Sequence, residues 1–308
     1  MNDTIAAIAT ASGRGGIAVI RLSGSPVPIA EKMFVPKGKT AVRDFEAYRM
    51  YPGEIDGGTF RDFGLCVLFR APKSFTGEDV IEFHCHGGAQ IARGILRRAL
   101  SLGARLAERG EFTKRAFLNG KLSLASAEGM ADMINGESEA EVRAGYALYG
   151  ETLTRKAKAM QARLQTQLAG LDCDMDYPEE DLEFATLSEV RAALAETEAE
   201  LDRLLAGYGV GKKIKQGVNV VIAGRPNAGK SSLLNALLGY DRAIVSDVPG
   251  TTRDCVEDTL EIEGVRFRLV DTAGLRESED KIEKIGIERA KRLVRSADLL
   301  LFLSEEWT

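Results

Sequence analysis

The stretch Gly224-Arg-Pro-Asn-Ala-Gly-Lys-Ser231 decides the fold of the last third of this 308-residue chain. Its spacing, G-x-x-x-x-G-K-S, is that of a phosphate-binding loop, in which glycines let the backbone N–H groups surround phosphates. Lys230 neutralises β- and γ-phosphate charge, and the Ser231 hydroxyl is placed to hold Mg²⁺ at a helix N-terminus. Apolar residues 218–223 predict a buried strand before the loop, and residues 230–238 predict a helix after it. This context favours a P-loop nucleotide-hydrolysing module over a chance match.

Two further segments follow in the order found in GTPases. Gly250-Thr-Thr-Arg-Asp254 supplies hydroxyls for a metal shell, and Asp271-Thr-Ala-Gly274 follows a predicted strand at 265–270. Each is weak alone, but in this order they predict the two switch segments of a GTPase. Leu275 occupies the position where Ras-type enzymes place a water-orienting glutamine, and its side chain cannot polarise water. The residues alone leave the replacement open among these carboxylates: Glu277, Glu279, Asp280 and Glu283.

The chain changes character twice along its length. Residues 1–121 predict a glycine-rich α+β domain with strands at 17–22, 65–69 and 80–85 and a helix at 89–102. Residues 122–216 are rich in strong helix formers and predict a helical domain, which the acidic segment 172–181 interrupts. Glycines within 207–211 predict a flexible linker. Residues 217–308 predict a parallel α/β sheet, with a third strand at 298–303. The predicted fold class is therefore multidomain α+β and α/β, with a partial Ras-like P-loop G domain.

Composition places the chain among ordinary globular proteins and excludes some functions. Hydrophobic residues make up 44% and charged residues 28%, and the net charge of −5 argues against coating nucleic acid by bulk charge. The sequence begins without a basic leader and has no apolar run of membrane-spanning length. Four widely spaced cysteines predict reduced thiols. We expect a cytoplasmic protein with no membrane association.

Three segments carry a resemblance to a known family. The run Gly224 to Asn235 resembles TRAFAC GTPases of the Era, Der and MnmE group. Phe75-Thr-Gly-Glu-Asp-Val-Ile-Glu-Phe-His-Cys-His-Gly-Gly88 and Gly110-Glu-Phe-Thr-Lys-Arg-Ala-Phe-Leu-Asn-Gly-Lys121 look like signature stretches of the MnmE (TrmE) family of tRNA-modification GTPases. Ile285-Gly-Ile-Glu-Arg289 is similar as well. The resemblance extends over the whole chain in the family's domain order.

The resemblance implies a potassium-dependent GTPase that binds GTP and GDP and acts with the flavoprotein MnmG. Together they would add a carboxymethylaminomethyl or aminomethyl group to C5 of the wobble uridine of certain tRNAs. The one-carbon unit would come from a tetrahydrofolate derivative. The N-terminal domain would bind 5-formyltetrahydrofolate or a related folate through Arg21, Glu82 and Lys121, and it would form the homodimer. A carboxylate within an apolar strand, as Glu82 is, needs a partner in any case.

The resemblance also implies residue roles in the G domain. Glu283 would orient the attacking water and Lys230 would stabilise phosphate charge. Mg²⁺ would be held by Ser231 and Thr252, and K⁺ by Asn227, Ser246, Thr251 and the backbone of Val248. The cation would supply the positive charge of a missing arginine finger. The nucleotide-binding residues would be Asn227, Ala228, Gly229, Lys230, Ser231, Ser232, Ser246, Thr251, Thr252, Asp271, Thr272, Ala273 and Gly274.

The 308 residues contain no Asn-Lys-x-Asp motif, so the preference for guanine is carried by resemblance. We expect a C-terminally truncated member, lacking part of the helical domain and the second half of the G domain. Two alternatives remain. An Era- or Der-like ribosome-assembly GTPase would need an RNA-binding domain after the G domain. A truncated folate-binding dimer would lack GTPase activity.

Two further features have both functional and structural interpretations. His84 and His86 lie on one face of a predicted strand, but without further ligands nearby a structural or substrate-lining role is favoured over metal binding. A basic cluster could contact tRNA phosphates, although a solvated surface is the favoured interpretation. It comprises Arg97, Arg98, Arg105, Arg109, Lys114 and Arg115.

Overall fold

The structure is a computed structural model. It describes residues 3–176, 185–224, 228–239, 257–271 and 294–304. The chain forms two compact units, Met1–Ala127 and Glu128–Thr308. The predicted division into three domains at 121/122 and 216/217 stays a prediction.

The first unit is built on a seven-stranded sheet of order β3-β4-β5-β6-β2-β1-β7. All neighbouring strands are antiparallel except β1 and β7, which are parallel. The strands are β1 (Ile5–Ile8), β2 (Ile17–Gly24), β3 (Phe34–Pro36), β4 (Met50–Asp56), β5 (Arg61–Phe69), β6 (Asp79–His86) and β7 (Arg105–Leu106). The three strands predicted from sequence are present, each extended by a few residues.

Alternation along β6 determines which face of the sheet is buried. Ile81, Phe83 and Cys85 are buried in the core, whereas Glu82 and His84 between them are only partly buried. Side chains alternate across a strand, so the apolar set packs into the core and the polar set occupies the other face. The helices of this unit are α1 (Val27–Met33), α2 (Ala89–Ser101) and α3 (Glu111–Leu118). Ala92, Ile95 and Ala99 of α2 join the same core, so the polar face of β6 is left for a site.

Four helices precede the second sheet: α4 (Leu124–Asn135), α5 (Glu139–Tyr149), α6 (Thr152–Asp176) and α7 (Leu187–Gln216). A capping box begins α7, in which the Thr186 side chain accepts from the Glu189 backbone N–H and the Glu189 side chain accepts in return. The prediction of a flexible linker at 207–211 was wrong, because these residues lie inside α7. Glycine costs only about 1 kcal/mol relative to alanine within a helix. A long capped helix of strong helix formers tolerates that cost.

The sheet of the second unit has the order β11-β8-β10-β9. Its elements are β8 (Val218–Gly224), α8 (Lys230–Leu238), β9 (Glu257–Ile262), β10 (Val265–Asp271) and β11 (Leu299–Leu303). Strands β8, β10 and β11 are parallel as predicted, but β9 is antiparallel to β10. The sheet is therefore mixed, with an antiparallel edge strand, β9, that was not predicted. Glu263 and Gly264 both have positive φ, which is the two-residue turn of a hairpin.

The β9–β10 turn is attached to the start of α5 within this unit. The Ala140 N–H donates to the Gly264 carbonyl at 2.9 Å. Buried Arg266 of β10 pairs with Glu141 at 2.9 Å and also with Glu137. Since both Arg266 and Glu141 are buried, this ion pair fixes the hairpin against the helices. Altogether the mixed α/β architecture with a partial P-loop domain confirms the predicted fold class.

Candidate functional site

Three strand ends meet at one edge of the second sheet. Leu303 of β11 is paired with Gly224 of β8, and Asp271 of β10 is paired with Ile222, two residues earlier on β8. Because the strands are parallel, their carboxyl ends share this edge, where open α/β sheets bind ligands. The predicted phosphate-binding loop leaves β8 at this edge.

Two glycines shape the backbone there. Gly224 has φ +155°, and a Cβ on it would lie 2.4 Å from the Leu303 carbonyl oxygen, so any side chain would push β11 away. Gly229 is left-handed at φ +85° and is the N-cap of α8. L-residues with side chains rarely adopt that conformation. The glycines of the motif are thus required by the strand pairing and by the start of the helix.

Lys230 is the first residue of α8 and lies over the end of β8. Its Nζ donates to the Gly224 carbonyl oxygen at 3.1 Å, and the residue is only 8% exposed. The ammonium group therefore lies beside a helix N-terminus, whose free N–H groups also favour anions. A lysine and a helix N-terminus at one sheet edge form the arrangement expected for binding nucleotide phosphates.

The described residues cover only part of the predicted nucleotide site. Ala228, Gly229, Lys230 and Ser232 are described, and Ser232 is exposed in the first turn of α8. For Ser231 and Asp271 only the backbone is described. The other predicted residues lie outside the described ranges: Asn227, Ser246, Val248, Thr251, Thr252, Thr272, Ala273, Gly274 and Glu283. Their roles stay predictions.

In the first unit, Arg21 and Glu82 are direct neighbours across β2 and β6. Arg21 Nε donates to Glu82 Oε1 at 2.6 Å, and their side chains are 29% and 13% exposed. His84 Nε2 lies 3.3 Å from the other oxygen of the same carboxylate. Glu82 therefore has the partner that its place in an apolar strand requires. The pair lies on the face of the sheet opposite the core.

Two aromatic rings flank the Arg21 guanidinium. Its Cζ lies 5.5 Å from the centroid of Phe75 and 5.8 Å from that of Phe112, within the range of cation–π attraction. Among the described residues, Nη1 and Nη2 of Arg21 make no hydrogen bond. The guanidinium is thus oriented by Glu82 and the rings, with donors left for an acceptor on a ligand. The sequence motifs contained both phenylalanines, but their positions relative to Arg21 were not predicted.

Lys121 is exposed and lies next to the turn that carries Phe75. A Cβ on Gly77 would be 3.2 Å from Lys121 Cγ, so the lysine stem rests against the turn backbone. The structure therefore brings Arg21 and Lys121 close to one turn, residues 74–78, and Glu82 is joined to Arg21. Arg21 reaches it through Phe75 and Lys121 through Gly77.

The remaining candidates have ordinary structural roles. His86 Nδ1 lies 2.7 Å from Asp62 Oδ1, and the described residues contain no group of three potential metal ligands. Arg98 pairs with Asp56 and Arg105 with Asp3 and Glu111. The expectation of a solvated basic surface was wrong for Arg115, which is only 2% exposed in its side chain and pairs with three carboxylates. A buried arginine cannot contact tRNA phosphates.

Comparison with known proteins identifies two domain families. The family described as GTP-binding protein TrmE N-terminus matches residues 4–121, and the family of 50S ribosome-binding GTPases matches residues 219–308. The tRNA modification GTPase MnmE of Carboxydothermus hydrogenoformans is 43% identical, over 98% of this chain and 67% of the relative. The MnmE of Moorella thermoacetica is 46% identical, over 98% and 66%. This chain belongs to the MnmE family.

The MnmE of Neisseria meningitidis serogroup C is also 46% identical, over 97% of this chain and 66% of the relative. The chain thus spans about two thirds of the length of these relatives. A crystal structure of the G domain of the T. maritima FeoB iron transporter aligns with 28% of this chain and 54% of that chain, at 34% identity. The TM-score of this alignment is 0.19.

Membership of the MnmE family confirms the predicted enzyme class, a GTP hydrolase of tRNA modification. Within the described ranges, no helix is both long enough and apolar enough to cross a membrane.

Proposed function

We propose that this chain binds and hydrolyses GTP and, with the flavoprotein MnmG, modifies C5 of the wobble uridine of certain tRNAs. The product group is carboxymethylaminomethyl or aminomethyl. The N-terminal domain, residues 1–121, binds 5-formyltetrahydrofolate or a related folate and forms the homodimer. Residues 122–216 are the helical domain and residues 217–308 belong to the G domain. The protein acts in the cytoplasm.

The position of Lys230 is the observation that carries the nucleotide proposal. Its Nζ is held over the end of β8, beside the N-terminus of α8 and the ends of β10 and β11. Ser231 and Thr252 would hold Mg²⁺, and Asn227, Ser246, Thr251 and the Val248 backbone would hold K⁺. These ions supply positive charge where phosphate charge develops during hydrolysis. The chain's own contribution is a rigid anion-binding edge.

The Arg21–Glu82 pair supports the folate proposal. Glu82 accepts the Nε hydrogen bond and the two rings cover the guanidinium, so Arg21 presents its remaining donors in one direction. A folate offers carbonyl and carboxylate oxygens as acceptors and a flat heterocycle for aromatic contact. Lys121 adds a second cation beside the same turn.

Cation dependence tests the GTPase proposal. GTP turnover is expected to be at least about tenfold faster in potassium than in sodium chloride of equal ionic strength, because removing one transition-state charge partner costs 10²–10³. Asn227→Ala should remove the difference between the two salts. The matched control Asn235→Ala, in the exposed part of α8, should retain it. Equal rates in both salts for the unsubstituted protein would reject the potassium assignment.

A further inference from the structure

The turn at residues 74–78 is held by side chains of two other elements. Thr76, at the centre of the turn, and Ser23, in β2, are both completely buried, and their hydroxyl oxygens are 2.7 Å apart. From beyond the end of α3, Asn119 Nδ2 donates to the Thr76 carbonyl oxygen at 2.7 Å. Strand β2 and the end of α3 thus hold the centre of the turn from both sides.

The last residue of the turn is fixed by charge. Glu78 Oε2 accepts from the Ser23 hydroxyl at 2.8 Å and from Arg115 Nη1 at 3.1 Å. The Ser74 hydroxyl closes the turn by donating to the Glu78 carbonyl at 2.5 Å. Both oxygens of the Glu78 carboxylate lie within hydrogen-bond distance of Nη1 of the buried Arg115. Glu78 therefore belongs to the framework that holds the turn.

The fixed turn carries the wall of the candidate folate site. Phe75, between Ser74 and Thr76, stacks over Arg21, and Phe112 is on the same helix as Arg115. Gly77 has φ +79°, and a Cβ there would lie 3.0 Å from Asn119 Cβ and 3.2 Å from Lys121 Cγ. A shift of the turn would therefore displace Phe75 from Arg21 and Lys121 from Gly77 at the same time.

We propose that Thr76 and Asn119 are positioning residues for the folate site. They fix the 74–78 turn so that Phe75 covers Arg21 and Lys121 stays beside Gly77. This inference rests on the proposed folate binding. The Thr76 side chain is completely buried and Asn119 Nδ2 donates to the turn backbone, so both side chains act on the turn itself. Their effect is preorganisation, which raises affinity by reducing the ordering needed on binding.

Titration of 5-formyltetrahydrofolate into three variants of the whole chain tests the proposal. Thr76→Val keeps the shape but removes the hydroxyl, and Asn119→Ala removes the amide at a surface position. Each is expected to weaken binding about tenfold or more, since small misplacements of binding groups have effects of that size. Thr76→Ser, which retains the hydroxyl, should restore affinity to within about threefold. Rescue by serine separates positioning from a general loss of packing.

Ser101→Ala is the matched control. Like the Asn119 amide, its hydroxyl donates to a backbone carbonyl, that of Arg98, but within α2. It should bind like the unsubstituted protein. Thermal unfolding of each variant checks that it is folded. If Thr76→Val does not fold, Asn119→Ala alone tests the proposal. If the unsubstituted protein binds the folate and the affinities of Thr76→Val and Asn119→Ala are within twofold of its own, the positioning inference alone is overturned. No binding by the unsubstituted protein overturns the folate proposal and this inference together.

Discussion

Replacing Glu283 with alanine is expected to lower GTP turnover by about 10²–10⁴-fold, the usual contribution of a positioned group that directs the attacking water. Leu275 follows the Asp271–Gly274 segment and cannot do this, so another group must act, and the family resemblance assigns the role to Glu283. Nucleotide affinity should change less than about twofold, because we assign the phosphate contacts to the loop and Lys230 and not to Glu283. Single-turnover hydrolysis, together with titration of a fluorescent GDP analogue, measures both quantities.

Glu279→Ala is the control for Glu283→Ala. It removes a carboxylate four residues earlier in the same segment, so changes in net charge and in segment composition are matched. It should leave turnover within about threefold of the unsubstituted protein. Loss of turnover in Glu279→Ala with retention in Glu283→Ala would show that the family correspondence assigns the wrong carboxylate.

Replacing Arg115 with alanine is expected to destabilise the first unit by about 3–5 kcal/mol, the cost of breaking a buried ion pair. Arg115 is 2% exposed and pairs with Asp3 at 2.7 Å, Glu78 at 3.1 Å and Glu111 at 3.2 Å. Its removal leaves Glu78 and Glu111 without that buried partner. Hydrogen exchange of core amides in β2 and β6 measures the change separately from the second unit.

Arg109→Ala is the matched control, because Arg109 is exposed, and it should cost less than about 0.5 kcal/mol. A loss below about 1 kcal/mol in Arg115→Ala would contradict the stabilising role of the buried cluster.

The pH dependence of stability tests a second member of the cluster, Glu111. The hydrogen bond from Arg105 chiefly lowers the pKa of Glu111 to about 2, from 4.5. A folded pKa below the unfolded value contributes stability that is present above about pH 4.5 and lost as the pH falls towards 2. Glu111→Gln should remove this part of the pH dependence.

Local sequence signals predicted the local elements of the G domain well. The helix expected at 230–238 is α8, and the apolar run at 218–223 is β8. The phosphate-binding motif constrains both, because its glycines must occupy the strand end and the helix N-cap. Strand β9 was not predicted, since residues 257–262 contain only two apolar side chains, Leu260 and Ile262, and follow the polar switch segment. Residues 257–262 can be assigned as the antiparallel partner of β10 only when the tight turn at Glu263-Gly264 is known.

The N-terminal site depends on contacts that are distant in sequence. Arg21 and Glu82 become partners through the register of β2 and β6, 61 residues apart. The resemblance named both residues, but only the pairing shows why each is held in place. The arginines of the basic cluster also could not be distinguished from sequence. Arg109 and Arg115 looked alike as members of that cluster, yet Arg109 is exposed and Arg115 is buried among carboxylates. Burial of that kind follows from tertiary packing and not from local pattern.

Binding of 5-formyltetrahydrofolate to this chain, compared with the Arg21→Ala variant by isothermal titration calorimetry, tests the central claim most directly. Arg21 is the residue on which the carboxylate and both rings converge. We expect saturable binding by the unsubstituted chain and a loss of affinity of about 100-fold or more in the variant, because a charge-assisted contact contributes up to about 3 kcal/mol. Absence of binding by the folded chain, or equal binding by both proteins, would contradict it.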